Sequence, residues 1–214
     1  MKKLLLLLAA FTATATVASA QLSYGVKGGL NISDISHSKN FTSFDKKMKT
    51  GIFVGAYVEY QFNDFLAIQP ELLYSRQGVS SKDKSTEDIT RKAGIRLNYL
   101  NLPILVKFYP IERLSIDVGP QIGYALSAKS IGRVVNTTDG RSVTRTKDRI
   151  DKKDYNHFDF GVAMGASYKL MNNFSVFARY YLGVTKINKK DNGFIISDKN
   201  LSNRVIQIGI GCGF

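Results

Sequence analysis

Ile206-Gln207-Ile208-Gly209-Ile210-Gly211-Cys212-Gly213-Phe214 alternates large or apolar residues with glycine or glutamine at every step. Successive side chains of an extended strand point to opposite faces. The segment from Asn203 to Phe214 therefore carries Ile206, Ile208, Ile210 and Phe214 on one face and Gln207, Gly209, Gly211 and Gly213 on the other. One face is greasy, and the other has almost no bulk.

Seven earlier stretches repeat this period of two. They run from Ser23 to Ile32, Gly51 to Tyr60, Phe65 to Arg76, Ile95 to Tyr109, Leu114 to Ala128, Asn156 to Leu170 and Phe174 to Thr185. Their connections alternate between short turns, at Gln61–Asp64, Pro110–Arg113 and Met171–Asn173, and long polar loops, of which Gln77–Ala93 and Lys129–Tyr155 are the clearest. Every long loop then emerges at one end, and both chain ends lie at the other. That parity, with strands of ten to fifteen residues, predicts an all-β fold: an eight-stranded antiparallel up-and-down transmembrane β-barrel, whose apolar band is about 25 Å tall. Closure is required because lipid offers the backbone no hydrogen bonds. Pro103 falls within a strand and cannot donate to the ladder, which predicts a bulge or bend there.

Alternation alone also suits a water-soluble ligand-binding barrel with its apolar face inward. The polar face argues against it. A solvated surface would carry Lys and Glu throughout, whereas this face is mostly Gly, Ala, Ser, Gln and Asn with few charges, which suits a narrow lumen filled by side chains. The lumen charges read from the pattern are Lys27, Lys107 and Arg179 against Glu71, Asp117 and Asp159. Three cations facing three carboxylates can neutralise one another, so the set reads as a structural plug, with an ion pathway as the alternative. Aromatic residues at the strand ends fit two interfacial girdles. Tyr60, Phe62, Phe65, Phe108, Tyr109, Tyr168 and Phe174 mark the turn side, and Tyr74, Tyr124 and Phe158 the loop side.

Residues 1–20 read as a cleavable secretory signal, with Lys2 and Lys3, an apolar run from Leu4 to Phe11, and small residues ending Ala18-Ser19-Ala20. The Leu-rich run is well short of the roughly 20 residues a membrane-anchor helix requires. The expected division is thus a signal peptide over 1–20 and one barrel domain over 21–214. Cys212 is the single cysteine, so neither a disulfide framework nor a thiolate zinc site is expected. Removing Lys2 and Lys3 takes the net charge from +13 to +11.

That charge concentrates in the expected loops, at Lys39, Lys46, Lys47, Lys49, Arg141, Arg145, Lys147, Arg149, Lys152, Lys153, Lys189 and Lys190. An exported protein rarely meets nucleic acid. These residues are either a solvated, solubilising surface or candidates to face anionic outer-membrane lipid, lipopolysaccharide, surface polysaccharide or a protein partner.

Several segments resemble the PorT-like outer-membrane β-barrel family of Bacteroidota. They are Gly25-Val26-Lys27-Gly28-Gly29-Leu30-Asn31, Gln69-Pro70-Glu71-Leu72-Leu73-Tyr74-Ser75, and Leu97-Asn98-Tyr99-Leu100-Asn101-Leu102-Pro103-Ile104-Leu105-Val106-Lys107. Gly119-Pro120, Asp159-Phe160-Gly161, Arg179-Tyr180 with Gly183, and the ending in Phe214 are also similar. The resemblance implies an outer-membrane barrel whose founding relative is associated with a gliding-type secretion apparatus. It implies no catalytic residues. A terminal aromatic such as Phe214 resembles the signal that barrel-insertion machinery reads.

Eight-stranded barrels that act on lipids exist, which makes His37 and His157 the candidate catalytic bases. His157 stands near Asp154 and Asp159 in sequence, but no spacing singles out a nucleophile beside it. The expectation is a non-enzymatic barrel with no cofactor or metal and a structural or accessory role at the cell surface. A narrow solute channel is the alternative, and a lipid-modifying enzyme a third.

Overall fold

The computed structural model describes residues 22–36, 45–86, 89–136, 142–149, 156–171, 173–185 and 202–214. The expected leader lies outside them, as do Lys39, Arg141, Lys152, Lys153, Lys189 and Lys190 of the basic set, and His37 and Asp154.

Nine strands follow one another: β1 (Leu22–Ser36), β2 (Asp45–Asn63), β3 (Leu66–Thr86), β4 (Ile89–Ile111), β5 (Leu114–Asn136), β6 (Ser142–Arg149), β7 (Phe158–Lys169), β8 (Phe174–Gly183) and β9 (Ser202–Gly213). Eight of them close an antiparallel ring in the order β1-β2-β3-β4-β5-β7-β8-β9, and β9 returns to β1 along Gly25–Ser36. The ninth, β6, stands outside the ring. It pairs with β5 along Lys129–Asn136, above the stretch Leu114–Tyr124 that β7 occupies.

Two expected loops are therefore strands. The described residues of Gln77–Ala93 continue β3 and β4 as paired strands, and Lys129–Tyr155 contains the end of β5, Lys129–Asn136, and all of β6. The reason is that a ladder is a backbone interaction. Apolar alternation marks only where a strand meets lipid, whereas polar residues pair equally well beyond it.

Pro103 lies in the strand without the expected bulge. Each of three prolines leaves a gap in one ladder instead: Pro70 between β2 and β3, Pro103 between β3 and β4, and Pro120 between β4 and β5. The register is the same on both sides of each gap, so a missing N–H donor is absorbed without a shift. The bulge occurs on β5, where Asn98 pairs with Ser127 but Tyr99 with Ala125, leaving Leu126 as the extra residue.

The two faces separate as the alternation requires. Ile208 and Ile210 of β9 are 54% and 62% exposed, whereas Gln207 between β8 and β1 is 1% exposed. Leu30, Val54, Leu72, Leu102, Val118 and Phe160 share the exposed side. An apolar exterior around a polar, buried interior is the inverse of a water-soluble barrel. Phe62, Phe65, Phe108, Tyr168 and Phe174 ring the turn end outside, and Tyr74, Tyr124 and Phe158 the loop side. Tyr109 does not join them, because its odd position in β4 turns it into the lumen, where it is 3% exposed.

The lumen is packed rather than open. Phe53, Leu73 and Phe177 form an apolar cluster across its middle, with the Phe53 and Phe177 rings 5.8 Å apart. Glycine makes room for them. A Cβ on Gly209 would come within 2.8 Å of the Phe53 ring and 3.0 Å of the Phe177 ring, and one on Gly29 within 2.9 Å of Phe53. The bare face of β9 is thus the space into which these rings fit.

Candidate functional site

The interior charges are carried by inward positions of strands on opposite walls. Glu71 of β3 sits at the centre. Lys27 of β1 donates to its Oε1 at 2.7 Å, and Arg179 of β8 reaches across the lumen with a two-pronged contact, Nη1 to Oε2 and Nη2 to Oε1, both at 2.8 Å. Gln69 Nε2 also donates to Glu71 Oε1. The Lys27 ammonium lies 4.7 Å from the Phe177 ring centre and 4.9 Å from that of Tyr57, so aromatic faces cover what the carboxylate does not. The planar fork of Arg suits this bidentate grip, which a Lys cannot reproduce.

Nearer the turns a second ion pair forms. Lys107 of β4 donates to Glu59 Oε2 at 2.8 Å and to Gln69 Oε1 at 3.1 Å, while the Tyr109 hydroxyl donates to Glu59 Oε1 at 2.8 Å. Gln69 thereby links the two centres. On the loop side an amide chain continues the filling: Gln207 Nε2 to Asn31 Oδ1 at 3.0 Å, Asn31 Nδ2 to Ser75 Oγ at 2.7 Å, and Gln77 Nε2 to the same Ser75 Oγ at 2.9 Å.

All six residues expected in the lumen are buried there, but the partners differ from a three-against-three balance. Asp117 accepts from the hydroxyls of Ser115 at 2.7 Å and Ser167 at 2.5 Å. Asp159 accepts from Thr185 at 2.8 Å and from Asn203 Nδ2 at 3.1 Å. Neither forms an ion pair among the described residues. The carboxylate that completes the network is Glu59, absent from the expected set. Its signal was available, since Ile52, Val54, Ala56 and Val58 point outward and odd positions of β2 therefore point in. Lys107 and Asp117 are Cα partners on β4 and β5, yet Lys107 reaches Glu59 instead.

At the turn end the lumen opens into a cavity of about 200 Å³ lined by Lys107, Glu59, Tyr109, Lys169, Arg113 and Ser175 among others. The Lys169 ammonium lies 5.0 Å from the Tyr109 ring centre. His157 sits at the loop end of β7, its ring 5.8 Å from that of Tyr124 on the girdle. Among the described residues no group of three His, Cys, Asp or Glu is placed to hold a metal ion.

An apolar exterior, interfacial aromatics and an ion-paired interior within a closed antiparallel ring define an outer-membrane β-barrel. The chain belongs to the outer membrane protein beta-barrel domain family, which matches residues 15–189. Among solved structures it is similar to Neisserial surface protein A, at 17% identity over 89% of this chain and 97% of that one, with a TM-score of 0.48. Ail, the attachment invasion locus protein of Yersinia pestis, shows 12% identity over 91% and 99%, with a TM-score of 0.46. CarO of Acinetobacter baumannii shows 12% identity over 92% and 99%, with a TM-score of 0.45. These are likenesses of fold. No curated protein matches the sequence.

Proposed function

We infer that this outer-membrane barrel is a non-enzymatic structural or accessory protein of the cell surface, closed to solute by its own interior and exported by a signal peptide over residues 1–20. The observation that carries the reading is Glu71, held at the lumen centre by Lys27 from one side and Arg179 from the other. A channel needs a continuous polar path, and this one is crossed by a bidentate ion pair and then by the Phe53, Leu73 and Phe177 layer. The basic segments beyond the ring face the anionic cell exterior, where they engage polysaccharide, lipopolysaccharide or a protein partner. The C-terminal strand ending in Phe214 engages the insertion machinery. The narrower resemblance to PorT-like proteins of Bacteroidota extends the reading to an accessory role in secretion of surface proteins.

The test of the closed lumen is single-channel recording of the refolded chain in planar bilayers. No steady open level is expected. Sustained conductance that scales with salt would replace this reading with that of a narrow solute channel. The secretion role predicts that deleting the gene depletes exported proteins from the cell surface, and an unchanged surface proteome would remove it.

A further inference from the structure

Beyond the ring, β2, β3, β4, β5 and β6 continue as a sheet on the loop side, and the register of β3 to β6 gathers charge onto one face. Lys82 is the Cα partner of Lys92, Lys92 of Arg133, and Arg133 of Arg145, so four neighbouring strands set four cations in one row. With strands about 4.8 Å apart, the row spans about 14 Å. Arg96, Lys129 and Arg149 make a second row nearer the barrel, and Lys147 is placed between the two. Residues two and four apart along a strand share a face, so all of these belong to one side of the sheet. The alternate positions form the other side, where Asp83, Arg91 and Asp148 are the charged residues and the rest are small, apolar or hydroxylated.

The bulge at Leu126 decides which side carries the cations. In β4, Arg96 has the same parity as the exposed Leu100 and Leu102. In β5 the exposed positions are even up to Leu126, and the extra residue makes them odd beyond it, so Lys129 is exposed in line with Arg96. The cationic rows continue the lipid-facing exterior of the barrel, not its lumen.

Like charges directly opposite one another destabilise a sheet. Across β3 to β6 this face has no acidic residue, and the one acid in register is Asp45 of β2, the Cα partner of Lys82 at the end of the row. An external anion relieves that repulsion. The height is also defined: Lys129 stands five residues above the girdle residue Tyr124 on β5. At about 3.3 Å per residue and a tilt of about 40°, that is about 13 Å above the girdle, with the Arg133 row about 10 Å higher. That height lies outside the hydrocarbon core, on the polar side of the surrounding leaflet.

We propose that the outward face of the β3–β6 extension docks the phosphate groups of the lipopolysaccharide packed around the barrel. The proposal rests on the reading that the basic segments face an anionic surface, and it narrows the partner to one. The test titrates the full refolded chain in detergent micelles with purified lipopolysaccharide and with the same material dephosphorylated, read by calorimetry. Lys92→Gln combined with Arg133→Gln removes the middle of the row; Arg91→Gln, one position away on the opposite face, is the control. Heat-modifiable gel mobility shows that each variant still closes its barrel.

The double variant is expected to bind at least about tenfold more weakly. Arg91→Gln should bind as the wild type does, and the wild type should lose the same affinity for the dephosphorylated ligand. Equal affinity in the double variant, or an equal loss in Arg91→Gln, overturns the proposal. If the double variant instead loses binding to a soluble sulfated polysaccharide while lipopolysaccharide binding is intact, the broader surface-binding reading stands and this narrower one falls.

Discussion

Glu71→Gln keeps the size and shape of the central side chain and removes its charge, leaving Lys27 and Arg179 as two buried cations around a neutral amide. Glu71 is 2% exposed and accepts three charge-assisted hydrogen bonds, at 2.7, 2.8 and 2.8 Å. Stripping one partner from a buried ion pair costs about 3–5 kcal/mol. Because one carboxylate serves two cations here, the upper part of that range applies. For a chain of this size about 1 kcal/mol moves the melting temperature by about 2–4 °C, so the variant should melt about 10–15 °C lower in detergent micelles by circular dichroism. The companion Lys27→Met in the Glu71→Gln background removes one orphaned cation and should recover part of the loss. A shift below about 2 °C, or no recovery in the double variant, would refute the view that Glu71 is the electrostatic keystone of the lumen.

Glu59→Gln breaks the pair with Lys107 at the turn-end cavity, but Lys107 keeps Gln69 Oε1 as a second acceptor, so a smaller loss of about 1–2 kcal/mol is expected in urea unfolding; a loss matching Glu71→Gln would invert the ranking of the two centres. Gly209→Val drives a side chain against the Gly28 carbonyl oxygen and the Phe53 and Phe177 rings, and the overpacking should cost about 1–3 kcal/mol. Pairing it with Phe53→Leu should restore the part owed to the rings; no restoration would mean that the Gly28 carbonyl alone sets the cost. Ile208→Arg places a charge on the exposed apolar band, 54% exposed, and should cost about 2–4 kcal/mol and reduce insertion into lipid vesicles. Normal insertion would mean that this surface does not face lipid.

The ring and its orientation were legible because lipid imposes a strict rule on one face of each strand and close packing imposes another on the other face. Ile208 beside Gly209 states both rules in two residues. The ends of β3, β4 and β5 beyond the apolar band were not legible, since Gln77–Thr86, Ile89–Ala93 and Lys129–Asn136 pair through their backbones with mostly polar side chains, whose alternation carries no hydrophobic signal. Within the lumen, face membership was readable and partnership was not. Parity places Lys107 and Asp117 inside, but which carboxylate Lys107 reaches depends on barrel radius and rotamers that no single strand encodes. The same parity puts Glu59 inward, a signal weaker than the motif around Glu71, and Tyr109 reads as a girdle residue because it ends a strand, although its odd position turns it inward. The fate of Pro103 could not be read either, because a proline and a bulge interrupt a ladder for different reasons.

The seam between β1 and β9 joins the earliest and the latest strand of the ring. Until β9 arrives, β1 and β8 each present a row of unsatisfied amides and carbonyls, and the half-built ribbon can neither enter hydrocarbon nor rest in water without sticking to others of its kind. Any subset of the ring's strands in this order leaves two edges open. Satisfying the last open edges thus falls to one pairing of high sequence separation, and the Gly209-to-Phe214 stretch is part of the clasp that makes it.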